Sequence, residues 1–445
     1  MRTLYNILFT IGFLLAAPYY FLRMRRRGNW RRGFAQRFGK YDTKIKQAIT
    51  NRHVLWIHAV SVGEVNICTQ LIRALEPRVP NVKIVVSTTT TTGMGELERK
   101  LPSHITKIYY PIDRRPYVAR ALGSIKPEAV VLVEAEIWPN FITRARNQDI
   151  PVFLVNARLS NRSYRNYRRF GFLFRPLFRS FAGVGAQNEA DAERLRKLGC
   201  RPEAVRVVGS LKYDAAQLDE RRPIDVPAML EQLGVSKSAC LLVAGSTHAG
   251  EEVLLADAYL RLRKRFPNLF LVLVPRHFER GREVGRELEA HGVRFVYRSE
   301  VTARMLLAPG ELDCLLVNST GELKYFYEHA DVIFVGKSLT ATAEGGQNPI
   351  EPGALGKAMV FGPNMQNFAE IAGCLLAQKG ALQVRDAAEL ETALARLLAD
   401  ADLRAELGRN ALKVVKENLG AIDRTADMIV EHLDKSGEFY VTKRA

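Results

Sequence analysis

The chain has 445 residues, more than one ordinary hydrophobic core holds, so two domains are expected. Hydrophobic residues make up 47% of the sequence and charged residues 25%, a composition that excludes an intrinsically disordered protein. The five cysteines are scattered without a C-x-x-C pair, and the eight histidines form no cluster. Neither a disulfide framework nor a structural zinc site is therefore expected, and a reducing compartment is favoured.

The amino-terminal segment joins an apolar run to a basic one and contributes much of the net charge of +18. Residues 4–22 are apolar apart from Asn6, Thr10 and tyrosines, and residues 1–40 contain no acidic residue. At about 1.5 Å per residue the run can cross a hydrocarbon core, and the arginines after it would keep the main body on the cytoplasmic side. We expect residues 1–40 to form a single uncleaved anchor, or a helix in the membrane interface, with a basic juxtamembrane segment. A cleaved signal peptide and a buried core helix are the alternatives.

Short β-branched runs alternate with helical patterns along the rest of the chain, which is typical of α/β domains with a parallel sheet covered by helices on both faces. The polar, strand-free segment 214–235 is the predicted linker between two Rossmann-like domains, residues 41–213 and 236–445, that would face a cleft. The last stretch, 390–435, has a helical pattern, but periodicity does not show which domain the final helix joins. Strands are predicted at Val54–Val60, Lys83–Thr88, Ala129–Glu134, Val152–Asn156, Gly183–Ala186, Val205–Val208, Leu241–Ala244, Phe270–Val274, Val293–Val296, Cys314–Val317, Val332–Val335 and Met359–Phe361.

Glutamates follow two strands of the first half. Gly63 would permit a tight turn into a helix, which leaves Glu64 at the helix start. There it is either a general base for an attacking hydroxyl or an ordinary first-turn glutamate favoured by the helix dipole. Glu134 and Glu136, at i and i+2, project from one face of the extended chain after the third strand. They would bind sugar hydroxyls or an arginine, or else bond nearby loops.

Residues 158–179 form a second basic stretch, in which arginines are interspersed with tyrosines and phenylalanines. Aromatic rings and arginines on one surface suit a membrane interface with anionic head groups. The alternatives are an amphipathic helix whose aromatic residues belong to the core, and a site for single-stranded nucleic acid.

Cationic and small polar residues follow the first strands of the second half. Ser246 or Thr247 would cap the next helix while backbone amides face a ligand. Arg276, directly after a strand, would clamp a phosphate with its planar guanidinium group. His277 beside it is either a ligand contact or a histidine satisfied within the protein.

A glycine pair later in this half gives the clearest indication of a ligand. Gly345 and Gly346 would let backbone amides approach an anion at the start of a helix opened by Pro349. Glu351 would then accept hydrogen bonds from a sugar hydroxyl. The predicted nucleotide-sugar site comprises Ser246, Thr247, Arg276, His277, Ser319, Thr320, Gly321, Glu322, Lys337, Gly345, Gly346, Asn348 and Glu351.

Three common enzyme signatures do not occur. There is no G-x-x-x-x-G-K-[ST], no G-x-G-x-x-G after a strand and no G-x-S-x-G. The sequence therefore weighs against a P-loop NTPase, a NAD(P) dehydrogenase and a serine hydrolase.

Several segments spread over nearly the whole chain occur together in one known family. They are His58–Val65, Glu134–Asn140, Asn156–Ser160, Gly209–Asp214, Gly245–Glu252, Pro275–His277, Ser319–Leu323, Gly345–Pro352 and Phe361–Phe368. With these segments the chain resembles the lipid A-specific 3-deoxy-D-manno-octulosonic acid (Kdo) transferases. Asn318 stands where an aspartate is common, and Ser210 where the family pattern has asparagine.

The resemblance implies an inverting GT-B glycosyltransferase that moves Kdo from CMP-Kdo to a lipid A precursor (lipid IVA) in lipopolysaccharide biosynthesis, on the cytoplasmic face of the bacterial inner membrane. It assigns the general base to Glu64 and the CMP site to the second domain. No metal or other cofactor is expected; anionic inner-membrane lipids are expected partners, and nucleic acid is not. Acceptor or Kdo contacts are expected from Glu134, Glu136, Arg158 and Lys212. A GT-B transferase using a UDP-sugar and a non-catalytic basic membrane-bound protein are the alternatives.

Overall fold

A computed structural model gives the fold of residues 2–26, 31–134, 136–215, 224–302, 304–340 and 345–436. The chain forms two compact units. Unit 1 consists of Met1–Ala215 and Leu419–Ala445, and unit 2 of Ala216–Asn418. Each unit is built on one seven-stranded sheet.

Unit 1 has a parallel sheet with helices on both faces. Its strands are β1 (His53–His58), β2 (Val82–Thr88), β3 (Thr106–Tyr109), β4 (Ala129–Val133), β5 (Val152–Ala157), β6 (Gly183–Ala186) and β7 (Val205–Val207). They lie in the order β3-β2-β1-β4-β5-β6-β7. Alternate strand residues enter opposite cores; Trp56, for example, packs in one and Ile57 in the other. Because parallel strands end at one edge, the segments that follow β1, β4 and β5 lie side by side.

The helices of unit 1 precede, connect and cover these strands. They are α1 (Arg2–Arg26), α2 (Thr43–Ile49), α3 (Val62–Leu75), α4 (Thr91–Lys100), α5 (Arg115–Ile125), α6 (Pro139–Arg146), α7 (Asn161–Arg169), α8 (Gly171–Phe178), α9 (Glu189–Leu198) and α10 (Leu211–Ala215). The basic aromatic stretch predicted at 158–179 thus forms the two short helices α7 and α8.

Helix α1 confirms the helical part of the amino-terminal prediction but not its membrane-spanning part. Tyr5 Oη donates to Asp113 Oδ2 at 2.8 Å, and the side chains of Asn6 and Asn140 exchange hydrogen bonds of 2.9 and 3.3 Å. Polar side chains and Pro18 interrupt the apolar run. Over the ranges that the structure describes, no helix combines the length and the apolar character needed to cross a membrane.

Unit 2 repeats the architecture of a parallel sheet. Its strands are β8 (Cys240–Thr247), β9 (Leu269–Pro275), β10 (Phe295–Tyr297), β11 (Cys314–Leu316), β12 (Val332–Val335), β13 (Ala358–Phe361) and β14 (Leu382–Gln383), in the order β10-β11-β9-β8-β12-β13-β14. Its helices are α11 (Val226–Gln232), α12 (Glu251–Arg263), α13 (Gly281–Ala290), α14 (Leu323–His329), α15 (Ile350–Ala354), α16 (Ala369–Ala377), α17 (Ala387–Ala399) and α18 (Ala401–Glu417). Part of the predicted linker, residues 216–223, lies outside the described residues, and helix α11 occupies much of the remainder.

The last helix, α19 (Ala421–Ser436), belongs to unit 1. Ile429 is fully buried in the same core as Ile57, and helix α19 packs against α3. Arg78, only 6% exposed, pairs with Asp423 at 2.7 Å and with Asp427 at 3.2 Å. The domain boundary predicted from the sequence keeps all residues after 236 in the second domain, whereas the structure returns the last helix to the first unit.

Candidate active site

Strands β4 and β5 of unit 1 both end in left-handed backbone at residues other than glycine. Glu134 has a φ of 61° and Asn156 a φ of 53°. Such backbone costs energy for residues with a side chain and is concentrated at functional sites. At Asn156 it coincides with a shift in the register between β5 and β6. The two side chains meet, since Asn156 Nδ2 donates to Glu134 Oε1 at 3.4 Å.

Lys212 completes this corner of the sheet. Its Nζ lies 3.7 Å from Glu134 Oε1, and the backbone N–H of Leu211 beside it donates to Asn156 Oδ1 at 3.1 Å. Burial lowers the pKa of Lys212, the Glu134 carboxylate opposes this, and the charge of Arg158 lowers the pKa further. The predicted acceptor residues Glu134, Arg158 and Lys212 are therefore neighbours.

Glu64 is the third residue of α3 and forms a capping box with Ser61. The Glu64 carboxylate accepts the backbone N–H groups of Val60 at 2.8 Å and Ser61 at 3.3 Å, while Ser61 Oγ accepts the Glu64 N–H at 3.2 Å. Glu64 thus has the structural role of a first-turn glutamate, which was one of the two predicted roles. Gly63 is not in the left-handed region, and a Cβ there would meet only Ser61 Oγ at 3.8 Å. The backbone at residue 63 therefore does not require a glycine, so the predicted reason for Gly63, a tight turn, is wrong. The absence of a side chain at Gly63 instead leaves open space beside Glu64.

Glu64 also lies within electrostatic reach of the other carboxylates. It is 8% exposed, and burial raises its pKa against the hydrogen bonds from Val60 and Ser61, with the charge of Glu134 raising it further. Burial likewise raises the pKa of Glu136 to about 7, opposed by the indole of Trp138 and supported by the charges of Glu64 and Glu134. Trp138 Nε1 donates to Glu136 Oε2 at 2.7 Å. The carboxylates of Glu64, Glu134 and Glu136 therefore lie near one another at one sheet edge.

In unit 2, strands β8 and β12 repeat the pattern of left-handed residues. Ser246 has a φ of 55° and Lys337 a φ of 56°, and these strands are neighbours in the sheet. The chain packs tightly here, because a Cβ at Gly336 would lie 2.5 Å from the carbonyl oxygen of Ser246. The loops after β8 and β12 are therefore held in one fixed arrangement.

Two histidines, Lys337 and Arg276 lie in or beside these loops. The rings of His248 and His277 are 5.8 Å apart. Burial lowers the pKa of His248; the carbonyl oxygen of Ser246 and the charge of Glu251 oppose this, while the charges of Lys337 and His277 lower it further. Arg276 is exposed and has no hydrogen bond or ion pair from its side chain to another described residue. An anion is the ligand that would compensate the positive charges of Arg276 and Lys337.

The glycine pair serves packing instead of presenting its amides to a ligand. Gly345 and Gly346 have φ of 112° and 70°, and both are buried. A Cβ would lie 2.4 Å from Asn367 Nδ2 at Gly345 and 2.6 Å from Met365 Sδ at Gly346. The N–H of Gly345 donates to Gln366 Oε1 at 2.8 Å, and that of Gly346 to the carbonyl oxygen of Lys337 at 3.0 Å. Neither amide is thus directed at a bound anion.

Helix α15, which follows this pair, is only five residues long, and Pro349 is its N-cap. Its dipole is correspondingly weak, so the expected anion site at the helix start is not supported by length. Asn348 holds the helix start instead. Its Oδ1 accepts the N–H of Ile350 at 3.1 Å, and its Nδ2 donates to Glu351 Oε1 at 3.2 Å. Asn348 therefore orients the Glu351 carboxylate.

Two further predicted contacts differ from the sequence interpretation. Neither Ser246 nor Thr247 caps α12, whose N-cap is Gly250; Thr247 Oγ1 instead donates to Glu252 Oε1 at 3.0 Å. In the 319–322 segment, Ser319 Oγ donates to Glu322, whose other oxygen pairs with Arg298 at 3.1 Å. Thr320 and Gly321 are exposed between these residues.

Comparison with known proteins now adds to this geometry. Residues 32–215 match the family model described as 3-deoxy-D-manno-octulosonic-acid transferase (kdotransferase). A 3-deoxy-D-manno-octulosonic acid transferase of Haemophilus influenzae is 32% identical over 409 residues, which cover 92% of this chain and 93% of the relative. The chain belongs to the Kdo transferase family. The transferase of Bordetella pertussis is 31% identical over 444 residues, covering 96% of this chain and 99% of the relative.

The solved structures support the fold. The UDP-GlcNAc 2-epimerase of Neisseria meningitidis, bound to UDP-GlcNAc, matches 86% of this chain and 100% of its own with a TM-score of 0.57 at 16% identity. That likeness concerns the fold alone and confirms a GT-B-like α/β architecture of two units. With the family established, the predicted enzyme class is also confirmed: the protein is a glycosyltransferase that transfers Kdo.

The structure gives packing or hydrogen-bonding roles to two residues that the sequence indicated only as the first residues of family segments. The side chain of Asn156 links Glu134 to the backbone N–H of Leu211. The sequence could have indicated this role, because asparagine tolerates left-handed backbone and this one lies at the end of a strand. His58 is fully buried and stacks on Tyr110 at 3.8 Å, and burial lowers its pKa to about 3. This neutral imidazole forms part of the packing just before the turn to Glu64.

Proposed function

We propose that the enzyme transfers Kdo from CMP-Kdo to a lipid A precursor, lipid IVA, by a single displacement with inversion that needs no metal or other cofactor. Unit 1 holds the acceptor and unit 2 holds the donor. The observation that carries this proposal is the meeting of Glu64, Glu134 and Glu136 at one sheet edge of unit 1. Of these, Glu64 is buried and its carboxylate accepts two backbone N–H groups, which favour the ionised form that a general base needs.

In this mechanism, Glu64 accepts the proton of the acceptor hydroxyl as the oxygen attacks the anomeric carbon of Kdo. Glu136, whose pKa of about 7 leaves it substantially protonated near neutrality, donates a hydrogen bond to an acceptor oxygen. Lys212 and Arg158 bind the Kdo carboxylate or acceptor phosphates, with the Glu134 carboxylate orienting Lys212. These roles follow from charge, since a sugar acid and a phosphorylated acceptor both bring anions to this edge.

In unit 2, Arg276 and Lys337 bind the phosphate of CMP and offset the charge that develops on it as it leaves. His248 and His277 border the same group. Glu351, oriented by Asn348, accepts hydrogen bonds from the ribose. The loop after β11 borders this donor site with Ser319, Thr320, Gly321 and Glu322. The base of this site is formed by the packed residues Ser246, Thr247, Gly345 and Gly346.

A lipid acceptor requires that the enzyme reach a membrane surface. In α1, Leu8, Leu14 and Leu15 are 61%, 64% and 78% exposed. Phe170, between α7 and α8, and Phe172, in the first turn of α8, are 47% and 55% exposed among arginines. Exposed apolar side chains beside arginines suit the interface of a membrane with anionic lipids. We therefore place the enzyme against the cytoplasmic face of the inner membrane by interfacial contact.

The general-base role is tested with Glu64→Gln. Glutamine also completes a capping box, so the helix start is preserved while the proton acceptor is lost. Transfer of Kdo to lipid IVA should fall about 10²–10⁴-fold, with CMP affinity and the unfolding midpoint close to those of the wild type. Mass spectrometry of the product and calorimetric titration with CMP measure these quantities.

Ser61→Ala is the matched control, because it removes the cap and keeps the carboxylate. It should cost about 1 kcal/mol of stability and leave most of the activity. If Glu64→Gln retained near-normal turnover while binding CMP, the base assignment would be wrong. Competition by CMP but not by UDP, measured on the wild type, tests the donor; displacement by UDP alone would favour a UDP-sugar transferase.

A further inference from the structure

Glu251, the first residue of α12, is fully buried and accepts four backbone N–H groups. His248 donates to Oε2 at 2.9 Å and Lys337 at 2.7 Å, while Ser338 and Leu339 donate to Oε1 at 2.8 and 3.0 Å. Within the described ranges no Lys, Arg or His side chain forms an ion pair with it. A buried carboxylate compensated by backbone amides holds those amides firmly, because leaving its charge unmatched would be very costly.

The four amides come from the loops after two neighbouring strands. One loop follows β8 and the other follows β12, and Glu251 bridges them with one oxygen shared between the loops and the other within the second loop. The second loop in turn supports its neighbours. Ser338 Oγ accepts the N–H of Gly362 at 2.9 Å, and the carbonyl oxygen of Lys337 accepts that of Gly346 at 3.0 Å. The Glu251 carboxylate thus stands at the centre of the loop network at this edge.

Lys337 itself needs this support. Its φ of 56° is unfavourable for a residue with a side chain. The hydrogen bond from the Lys337 amide to Glu251 offsets part of that cost. Without it, the loop would relax toward ordinary backbone and carry the Lys337 ammonium group away from His248, whose pKa it now influences.

We propose that Glu251 is a positioning residue for the donor: it does not touch the ligand but fixes the backbone on which Lys337 and His248 meet an anionic nucleotide. The inference rests on the proposed function only in taking unit 2 as the donor-binding unit. It has a second consequence. The amides of residues 337–339 are directed at Glu251, so the donor phosphate is bound by cationic side chains and not by a nest of backbone amides.

The test is Glu251→Gln in the full-length enzyme. The amide group replaces one oxygen, which removes an acceptor of two hydrogen bonds and sets a donor against two N–H groups. The Kd for CMP and the KM for CMP-Kdo should rise by at least about ten-fold, as expected for two lost bonds to a charged group. The KM for the acceptor should change little, because its binding residues lie in unit 1.

Glu252→Gln is the matched control on the same helix. Glu252 is equally buried, but both of its bonds, from Thr247 Oγ1 and from Arg280, go to Oε1, and Oε2 has no partner among the described residues. A glutamine can keep both bonds with its one oxygen. CMP affinity should therefore stay near that of the wild type. Equal losses in both variants, or CMP affinity of Glu251→Gln within about two-fold of the wild type, would overturn the proposal.

Hydrogen exchange in the wild type decides the matter even if Glu251→Gln does not fold. The amides of Lys337, Ser338 and Leu339 should be protected without ligand and gain little further protection when CMP binds. A large gain on CMP binding would mean that these amides face the phosphate, against the proposal. Failure of the wild type to bind CMP at all would instead reject the proposed donor, an outcome distinct from either result for Glu251.

Discussion

Among the described residues of this enzyme, left-handed backbone at residues other than glycine occurs at two kinds of place. Four of these residues lie in turns after helices, where such backbone is ordinary: Asn51, Lys126, Asp149 and Lys379. The other four end strands in the middle of the two sheets: Glu134, Asn156, Ser246 and Lys337. Since each costs about 1–3 kcal/mol, their placement at both proposed binding edges suggests that the cost is tolerated for the direction it gives to the side chains.

The proximity of Glu134 to Glu64 predicts that the pH dependence of transfer will shift when Glu134 is replaced. Glu64 must be ionised to accept a proton, so activity falls as the pH drops below its pKa. The charge of Glu134 contributes to raising that pKa. Glu134→Gln should therefore move the acid limb of the kcat/KM profile to lower pH, whatever its effect on the maximal rate.

Glu128→Gln is the matched control, because Glu128 precedes β4 as Glu134 follows it. The Glu128 side chain is 32% exposed and pairs with His53, and that of Glu134 is 25% exposed and pairs with Lys212. Removing the Glu128 carboxylate should leave the acid limb of the kcat/KM profile in place. An acid limb that stays put in Glu134→Gln would show that Glu64 is not the group that titrates.

Among the elements, α1 and the α7–α8 pair present apolar surface in different ways. Helix α1 is tied to the body of unit 1 through Asp113, which also accepts the N–H groups of Asn140 and Phe141 at 3.0 and 2.8 Å. Burial raises the pKa of Asp113 to about 6, with these donors opposing the shift. The α7–α8 pair instead leaves Phe170 and Phe172 exposed beside arginines.

The double variant Phe170→Ser, Phe172→Ser should weaken binding to anionic vesicles. Two half-exposed rings that enter a lipid interface contribute about 1–2 kcal/mol together, so affinity for phosphatidylglycerol vesicles should fall about ten-fold in a flotation assay. Phe278→Ser is the control, since Phe278 in unit 2 has the same 47% exposure as Phe170. A parallel loss in the control, or none in the double variant, would contradict lipid contact through α7–α8.

The strands were largely predictable because apolar, β-branched runs are typical of buried strands. All twelve predicted strands are present. Two further strands occur in the part of the chain that the structure describes, and both are edge strands: β3 with Lys107 among its four residues, and β14 with two residues. Edge strands bury less surface, and their sequence therefore carries a weaker signal.

The sequence also predicted which candidate site residues would lie close together, but not the partners of their polar groups. Charged residues after strands had to share an edge, and so Glu64, Glu134 and Lys212 meet. The amides of Gly345 and Gly346, and the carboxylate of Glu251, find partners in other loops. Such pairings depend on the distance between loops in the folded chain, a quantity that local sequence does not contain.

At the scale of the whole molecule, the chain passes through unit 2 and returns to complete unit 1. Hydrogen bonds connect the two chain segments of unit 1 at the start of α19. Asp214 Oδ1 accepts the N–H of Gly420 at 2.7 Å, and Arg424 Nε donates to the carbonyl oxygen of Val208 at 2.9 Å. The core of the first half is thus closed by residues more than 200 positions later. Unit 1 cannot reach its full stability until the carboxyl-terminal helix has been made.

Ile429→Ala should therefore destabilise unit 1, although the residue lies near the end of the chain. Ile429 is fully buried, and removing its side chain leaves a cavity that costs about 2–5 kcal/mol. Leu397→Ala, equally buried in the core of unit 2, is the reciprocal variant. Hydrogen exchange followed by mass spectrometry should show faster exchange in β1 and α3 for Ile429→Ala, and in β8 and α12 for Leu397→Ala. Faster exchange of unit 2 strands in Ile429→Ala, with β1 unchanged, would mean that α19 supports the second unit and that unit 1 folds without it.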